Sequence, residues 1–152
     1  MADDARSRTK VFLDTYVVTP ATIMEDNGTT PATVIVQYSN PPYPMIKVFL
    51  GKSVDAVFNI DIPQSEAIVD SDGQTIGYNE KVPILIQTVT KPGVTGDLLL
   101  WNCAEALRAA VEAHWIGSFR SLTVAASPKS QNMGGWILYG LGAVLTYERD
   151  VT

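Results

Sequence analysis

Apolar positions along this chain follow two periods. Over residues 94–117 the sequence VTGDLLLWNCAEALRAAVEAHWIG repeats at three- and four-residue spacing. Leu100, Cys103, Ala104, Leu107, Val111, His114 and Trp115 share one side of a helical wheel, and Asn102, Glu105, Arg108, Ala109 and Glu112 share the other. That pattern predicts an amphipathic helix. Thr95 or Asp97 can accept hydrogen bonds from the first-turn N–H groups, and Gly117 can take the left-handed conformation that ends the last turn. Three large apolar residues, Leu98, Trp101 and Ile116, break the polar side of this helix.

Elsewhere the period is two. Residues 10–18 (KVFLDTYVV) and 33–38 (TVIVQY) are rich in β-branched and aromatic residues and predict two strands, joined across Asn27-Gly28 as a hairpin. The prolines of 39–44 (SNPPYP) remove backbone donors and predict a hinge, with an N-terminal β-arm over 1–40 and an α+β body over 41–152, one domain overall. In the body, 45–50 predicts a strand. Residues 54–62 set Val54, Ala56, Phe58, Ile60 and Ile62 against Asp55, Asn59 and Asp61, which predicts a strand with one wet side. Asp72-Gly73 predicts the turn between 67–69 and 75–78. The apolar run 82–89 (VPILIQTV) predicts a buried strand with Pro83 at its start, and 121–126 predicts a short strand. Residues 136–149 (WILYGLGAVLTYER) predict a long central strand, in which Gly140 and Gly142 share a face and leave room for another backbone or a large side chain. The expected fold class is α+β: an antiparallel or mixed β-sheet with one main amphipathic helix packed across it, plus the N-terminal β-hairpin arm.

Composition narrows the function. A chain of 152 residues that is 46% hydrophobic can bury the core of one ordinary domain. A net charge of −5, with scattered Lys and Arg, argues against gripping a nucleic-acid duplex through its phosphates. Neither an apolar secretion signal nor the run of about 20 apolar residues needed for a membrane span is present. Cys103 lies on the apolar helix side and predicts no disulfide and no thiolate metal cage; a single histidine, His114, cannot build a histidine-rich metal site. Gly134-Gly135 precedes a strand, and Gly93–Gly96 lacks the following Lys-Ser/Thr of a phosphate loop. No catalytic residue, cofactor or metal is expected, and the competing reading is a small-molecule enzyme using the cleft between sheet and helix.

What remains is contact with other proteins. Trp and Arg dominate interface energetics, so Leu98, Trp101, Arg108, Glu112 and Ile116 of the helix, with Phe12, Tyr16 and Tyr38 of the arm, are the expected subunit interface. The alternative for Trp101 is a cover supplied by the chain's own N-terminal arm. Asp61, Glu66, Asp70, Asp72 and Glu80 form an acidic run with no basic residue among them.

From about residue 82 onward, the strand VPILIQTV, the turn KPG, the helix DLLLWNCAEALRAAVEAHW, the strand RSLTVAAS, a polar loop and the closing strand GGWILYGLGAVLTYERD resemble the tail terminator, or tail completion, proteins of long-tailed bacteriophages in order and character. The resemblance covers roughly half the chain. It implies a small α+β protein, not an enzyme, that assembles as a hexameric ring at the head-proximal end of the tail tube and joins it to the neck. The implied partners are further copies of itself, the tail tube protein and neck or connector proteins, with DNA passing without specific binding and no membrane. The implied place is the virion, after assembly in the host cytoplasm. In such a ring Glu66, Asp70 and Asp72 would face the lumen, where like charge keeps DNA from adhering. Members of that family commonly open with a helix, from which a β-arm departs; another head–tail connector, neck or tail tube component is the nearest competitor.

Overall fold

The longest run of backbone pairing joins β4 (Thr75–Thr90) to β7 (Ile137–Asp150), antiparallel and unbroken from Gly77 opposite Asp150 to Thr90 opposite Ile137. At about 3.3 Å per residue the ribbon is about 50 Å long. The computed structural model describes residues 2–25, 28–39, 54–90, 97–114, 119–125, 127–132 and 135–150. Around the ribbon lie α1 (Ala2–Leu13), a π-helical continuation (Asp14–Val18), β1 (Val34–Tyr38), β2 (Ala56–Ile60), β3 (Gln64–Val69), α2 (Asp97–Ala113), β5 (Phe119–Val124) and β6 (Lys129–Asn132). The sheet order is β1-β2-β4-β7-β5, with β3 following β2 along one edge of β4 and β6 lying beside β5 along the far edge of β7. Only β1 and β2 run parallel, so the sheet is mixed. This is the expected α+β fold, with a helix packed across the sheet.

Pro83 sits in the middle of β4 and not at its start. Its carbonyl accepts from the Asp61 N–H at 2.9 Å, on the edge where the neighbour changes from β2 to β3. In an antiparallel strand a residue's N–H and C=O point the same way, so the missing proline N–H faces the one place where the ladder is already interrupted.

Register divides the side chains between two faces. Val36, Phe58, Ile86 and Leu141 share one level, and Ile60, Ile84 and Ala143 share another; both belong to the face that carries both helices. α2 presses Leu100, Cys103, Ala104, Leu107 and Val111 into this core, at the positions its period marks. Trp101 is half-buried and packs against the same core.

The N-terminal β-arm is not formed. Residues 10–18 are the last turn of α1 and the π-helical stretch. Ala5, Thr9, Leu13 and Val17 recur every fourth residue and, with Phe12, make a buried stripe. Two of the five residues of that stripe, Ala5 and Thr9, lie before Lys10, so the segment from Lys10 onward does not show the helical period; burial of a helical face then outweighs the local β preference. The strand over 33–38 does form, as β1, but it is a member of the main sheet. Ala5, Phe12, Leu13, Val17 and Val34 join the core that holds α2 and β7, so 1–40 is not a separate arm. The proline segment beyond Ser39 and the strand expected over 45–50 lie outside the described residues.

The strand expected over 54–62 is shorter, β2, and every residue of it is buried. Asn59 is accommodated by amides on both sides. Gln37 Nε2 donates to its Oδ1 at 2.8 Å, and its own Nδ2 donates to Gln87 Oε1 at 2.8 Å and to the Leu85 carbonyl at 3.0 Å. Paired amides remove the cost of burying each alone, and so Asn59 is dry where a wet side was expected, while Asp55 and Asp61, just beyond the ends of β2, stay half-buried.

One buried charge needs a partner. Glu80 is 1% exposed and takes hydrogen bonds from the Ser65 hydroxyl and from Arg149 Nε at 2.7 Å. The Arg149 guanidinium lies 4.4 Å from the centre of the Tyr78 ring. Burial pushes the Glu80 carboxyl up, but the hydrogen bonds from Ser65 and Arg149 and the Arg149 charge outweigh it and hold the group below the ordinary glutamate value. A lowered folded value means stability that is present above the unfolded pKa and is lost as pH falls through the folded one. Arg149 keeps 33% of its side chain exposed and can be re-solvated, so Glu80→Gln is expected to cost about 2 kcal/mol at neutral pH, less than a fully buried pair. Denaturant melts against pH should show wild type losing stability below about pH 5 and Glu80→Gln losing less of it; parallel curves would contradict the assignment.

Candidate assembly surface

The residues expected at a subunit interface fall in separate places. Leu98 is 47% exposed at the start of α2, beside a trough of about 490 Å³ that Thr22, Met24, Asn102 and Ala106 help to line. Asn102 Nδ2 donates to the Met24 carbonyl at 2.9 Å, so the chain's own N-terminal segment covers part of this side of the helix. Arg108 is ion-paired with Glu105 three residues before it, and Glu112 is exposed one turn further on. Ile116 lies outside the described residues. Phe12 is a core residue: the helical stripe turns it inward, where its ring meets Tyr16 at 5.2 Å. Tyr16 is exposed and stacks on His114, ring centres 3.8 Å apart and 17° from parallel, which ties the π-helical stretch to the end of α2. Tyr38 is exposed at the end of β1, with the Arg6 guanidinium 4.8 Å above its ring.

The acidic run is less uniform than its sequence. Glu80 is buried against Arg149, and Glu66 pairs with Lys81 at 2.6 Å, an interaction that lowers its pKa through a hydrogen bond first and charge second. Asp70 is a turn residue: its Oδ1 accepts from the N–H groups of Asp72 and Gln74, each at 2.9 Å, while Gly73 takes φ 83° to close the turn. Among the described residues no ion pair engages Asp70 or Asp72, so the carboxylates of the run that stand without a cation gather at the tip of the β3–β4 hairpin. Flanking them, Val69 and Ile76 are 53% and 57% exposed.

Sequence reasoning did not find the sheet face turned away from the helices. Its floor near β7 is made by Gly140 and Gly142, opposite Gln87 and Leu85. Two troughs lie along it. One of about 380 Å³ is lined by Gln87, Lys129, Ser130, Gln131, Leu138 and Gly140. The other, about 400 Å³ and mostly apolar, is lined by residues that include Pro83, Leu85, Thr123, Gly142 and Val144. The glycine pair was the available signal. What hid the rest was the amide row of Gln37, Asn59 and Gln87, because each amide stands alone in its own strand sequence and they meet only through register.

Chemistry of the titratable groups is limited among the described residues. No cluster of three or more His, Cys, Asp or Glu side chains converges. Cys103 is buried under α2, and burial pushes its thiol up to about 12, where the nucleophilic thiolate is scarce at neutral pH. A thiol reagent at pH 8 is therefore expected to label Cys103 only after denaturant is added; labelling of the native protein at the rate of a free thiol would contradict this burial.

No family model matches the chain, and no curated protein matches it either.

Proposed function

We propose that this chain is a non-enzymatic assembly protein of a virus particle, resembling a phage tail terminator or completion protein, which closes a ring at the head-proximal end of the tail tube and joins it to the neck. One observation carries the self-assembly part of the reading. β3, with exposure along most of its length, is an edge strand whose outer backbone groups find no partner among the described residues, and it leads into a tip that displays Val69 and Ile76 to water. An exposed edge beside exposed apolar side chains is a site at which one chain meets another. The fold also fits what the resemblance implies, a sheet flanked by helices. The helix at the start of the chain removes the departure that a β-arm would have been.

Two parts of the expectation change. Glu66 and Glu80 are each paired with a cation, so an acidic lining for passing DNA would rest on Asp70 and Asp72 alone. Trp101 packs partly against the core, so truncating it acts on folding and assembly together.

Leu98 separates these effects. It is exposed in the first turn of α2, where a carboxylate is also favoured by the helix dipole, so Leu98→Asp is expected to change stability by no more than about 0.5 kcal/mol. The same variant should weaken assembly if this side of α2 is a subunit contact, and sedimentation beside a thermal melt reads both. For the role in the particle, electron microscopy of particles made without this protein is expected to show overlong tails. Normal finished particles would refute the role.

A further inference from the structure

The hairpin tip and the glycine-floored troughs are complementary, and one chain cannot bring its own pair together. Ile76 and Leu85 are on the same strand, nine residues apart in β4, a separation of about 30 Å along a ribbon braced by β7 throughout. We propose that the tip of the β3–β4 hairpin of one copy docks across the two troughs that lie along β7 of a second copy, its apolar side chains in the one at Gly142 and its carboxylates toward Lys129 in the one at Gly140. This rests on the self-assembly reading and names the two surfaces that meet.

Shape and polarity match on both sides. Gly142 leaves a real vacancy: a Cβ built on it meets no atom within 4 Å, and Leu85, Pro83 and Val144 supply apolar walls. The tip offers Val69 and Ile76, the two most exposed of its apolar side chains, to fill that space. Burying them removes a patch that otherwise costs hydration in the free chain. Charge matches as well. Lys129 is the sole charged side chain among the described residues lining either trough, it makes no ion pair among them, and it lies in register with Gly140. Asp70 and Asp72 are the carboxylates at the tip without a cation. Gln87, whose Oε1 is engaged by Asn59, lines the same trough and can present its N–H groups to the incoming turn.

The contact is heterologous. Each copy carries one tip and one pair of troughs, so contacts propagate head to tail and close into a ring when the rotation permits. An isologous dimer would use the same patch twice and would stop at two copies.

The test blocks each half separately. Gly142→Leu starts from a position where a Cβ meets no atom within 4 Å, projects its side chain into the trough and leaves the tip intact; Ile76→Asp spoils the tip and leaves the trough intact. With folding checked by circular dichroism, each variant alone is expected to associate at least about tenfold more weakly than wild type by light scattering. Mixed, they should form a one-to-one pair that grows no further, because only one good tip and one good trough remain. Lys129→Glu and Asp72→Lys should each weaken assembly and together restore it. A wild type that assembles while both blocking variants assemble equally well would overturn this contact and leave the self-assembly reading standing. A wild type that stays monomeric at every soluble concentration would overturn both.

Discussion

Antiparallel pairing of β4 with β7 is the constraint on which the rest of this structure depends. Because the two strands stay in register from Thr90 and Ile137 to Gly77 and Asp150, they fix which side chains face the helices and which face away over the whole length of the sheet. A one-residue slip would turn one strand over relative to the other and bury either Glu148 in place of Tyr147 or Lys81 in place of Val82. The other strands attach to this ribbon in halves: β2 then β3 along one edge, β5 beside β6 along the other. A consequence is that β3 and the first part of β4 run on past β2, which is why the hairpin ends in open solvent while the same strand is dry further along.

The two faces solve the cost of burial differently. On the helix side, α1 and α2 deliver aliphatic side chains, and the one carboxylate present, Glu80, is held by Ser65 and Arg149. Near it Thr9 Oγ1 donates to the Ala5 carbonyl at 2.8 Å and shares a hydrogen bond with Tyr147 Oη at 3.2 Å, so this buried hydroxyl of α1 is also satisfied. On the far side, amides replace aliphatic contacts. Gln37, Asn59 and Gln87 form a row across three strands, and beyond it the glycines of β7 leave the surface hollow. Satisfied amides favour this register, since a one-residue slip of β2 would turn Asn59 to the other face, away from Gln37 and Gln87.

Much of the fold was legible, for reasons that can be traced to particular residues. α2 was plain because its buried face, Leu100, Cys103, Ala104, Leu107 and Val111, keeps one period over its seventeen residues even though Leu98 and Trp101 break the polar side. The β3–β4 turn was plain because Asp70, Asp72 and Gly73 each supply a local conformational preference. α1 was misread because its stripe mixes Thr9 with Ala5 and Leu13, and because Phe12, Tyr16 and Val17 favour strands when taken locally. The partner of a residue is not local information. Phe12 could be named as an aromatic but not placed in the core, and Glu66 and Glu80 could be named as acids but not matched to Lys81 and Arg149. The amide row and the trough are products of register alone.

Function follows from what this arrangement leaves exposed. A rigid ribbon holds an apolar, acidic tip at one end and a hollow beside a lysine on its flank, too far apart to meet within one chain. Whether copies of the chain bind one another is therefore decisive. Sedimentation velocity of the unmodified protein over a wide dilution series measures this most directly. A mass that rises with concentration through whole-number multiples of the chain, toward one closed species, is the expected result; a single monomer boundary at every concentration would contradict it.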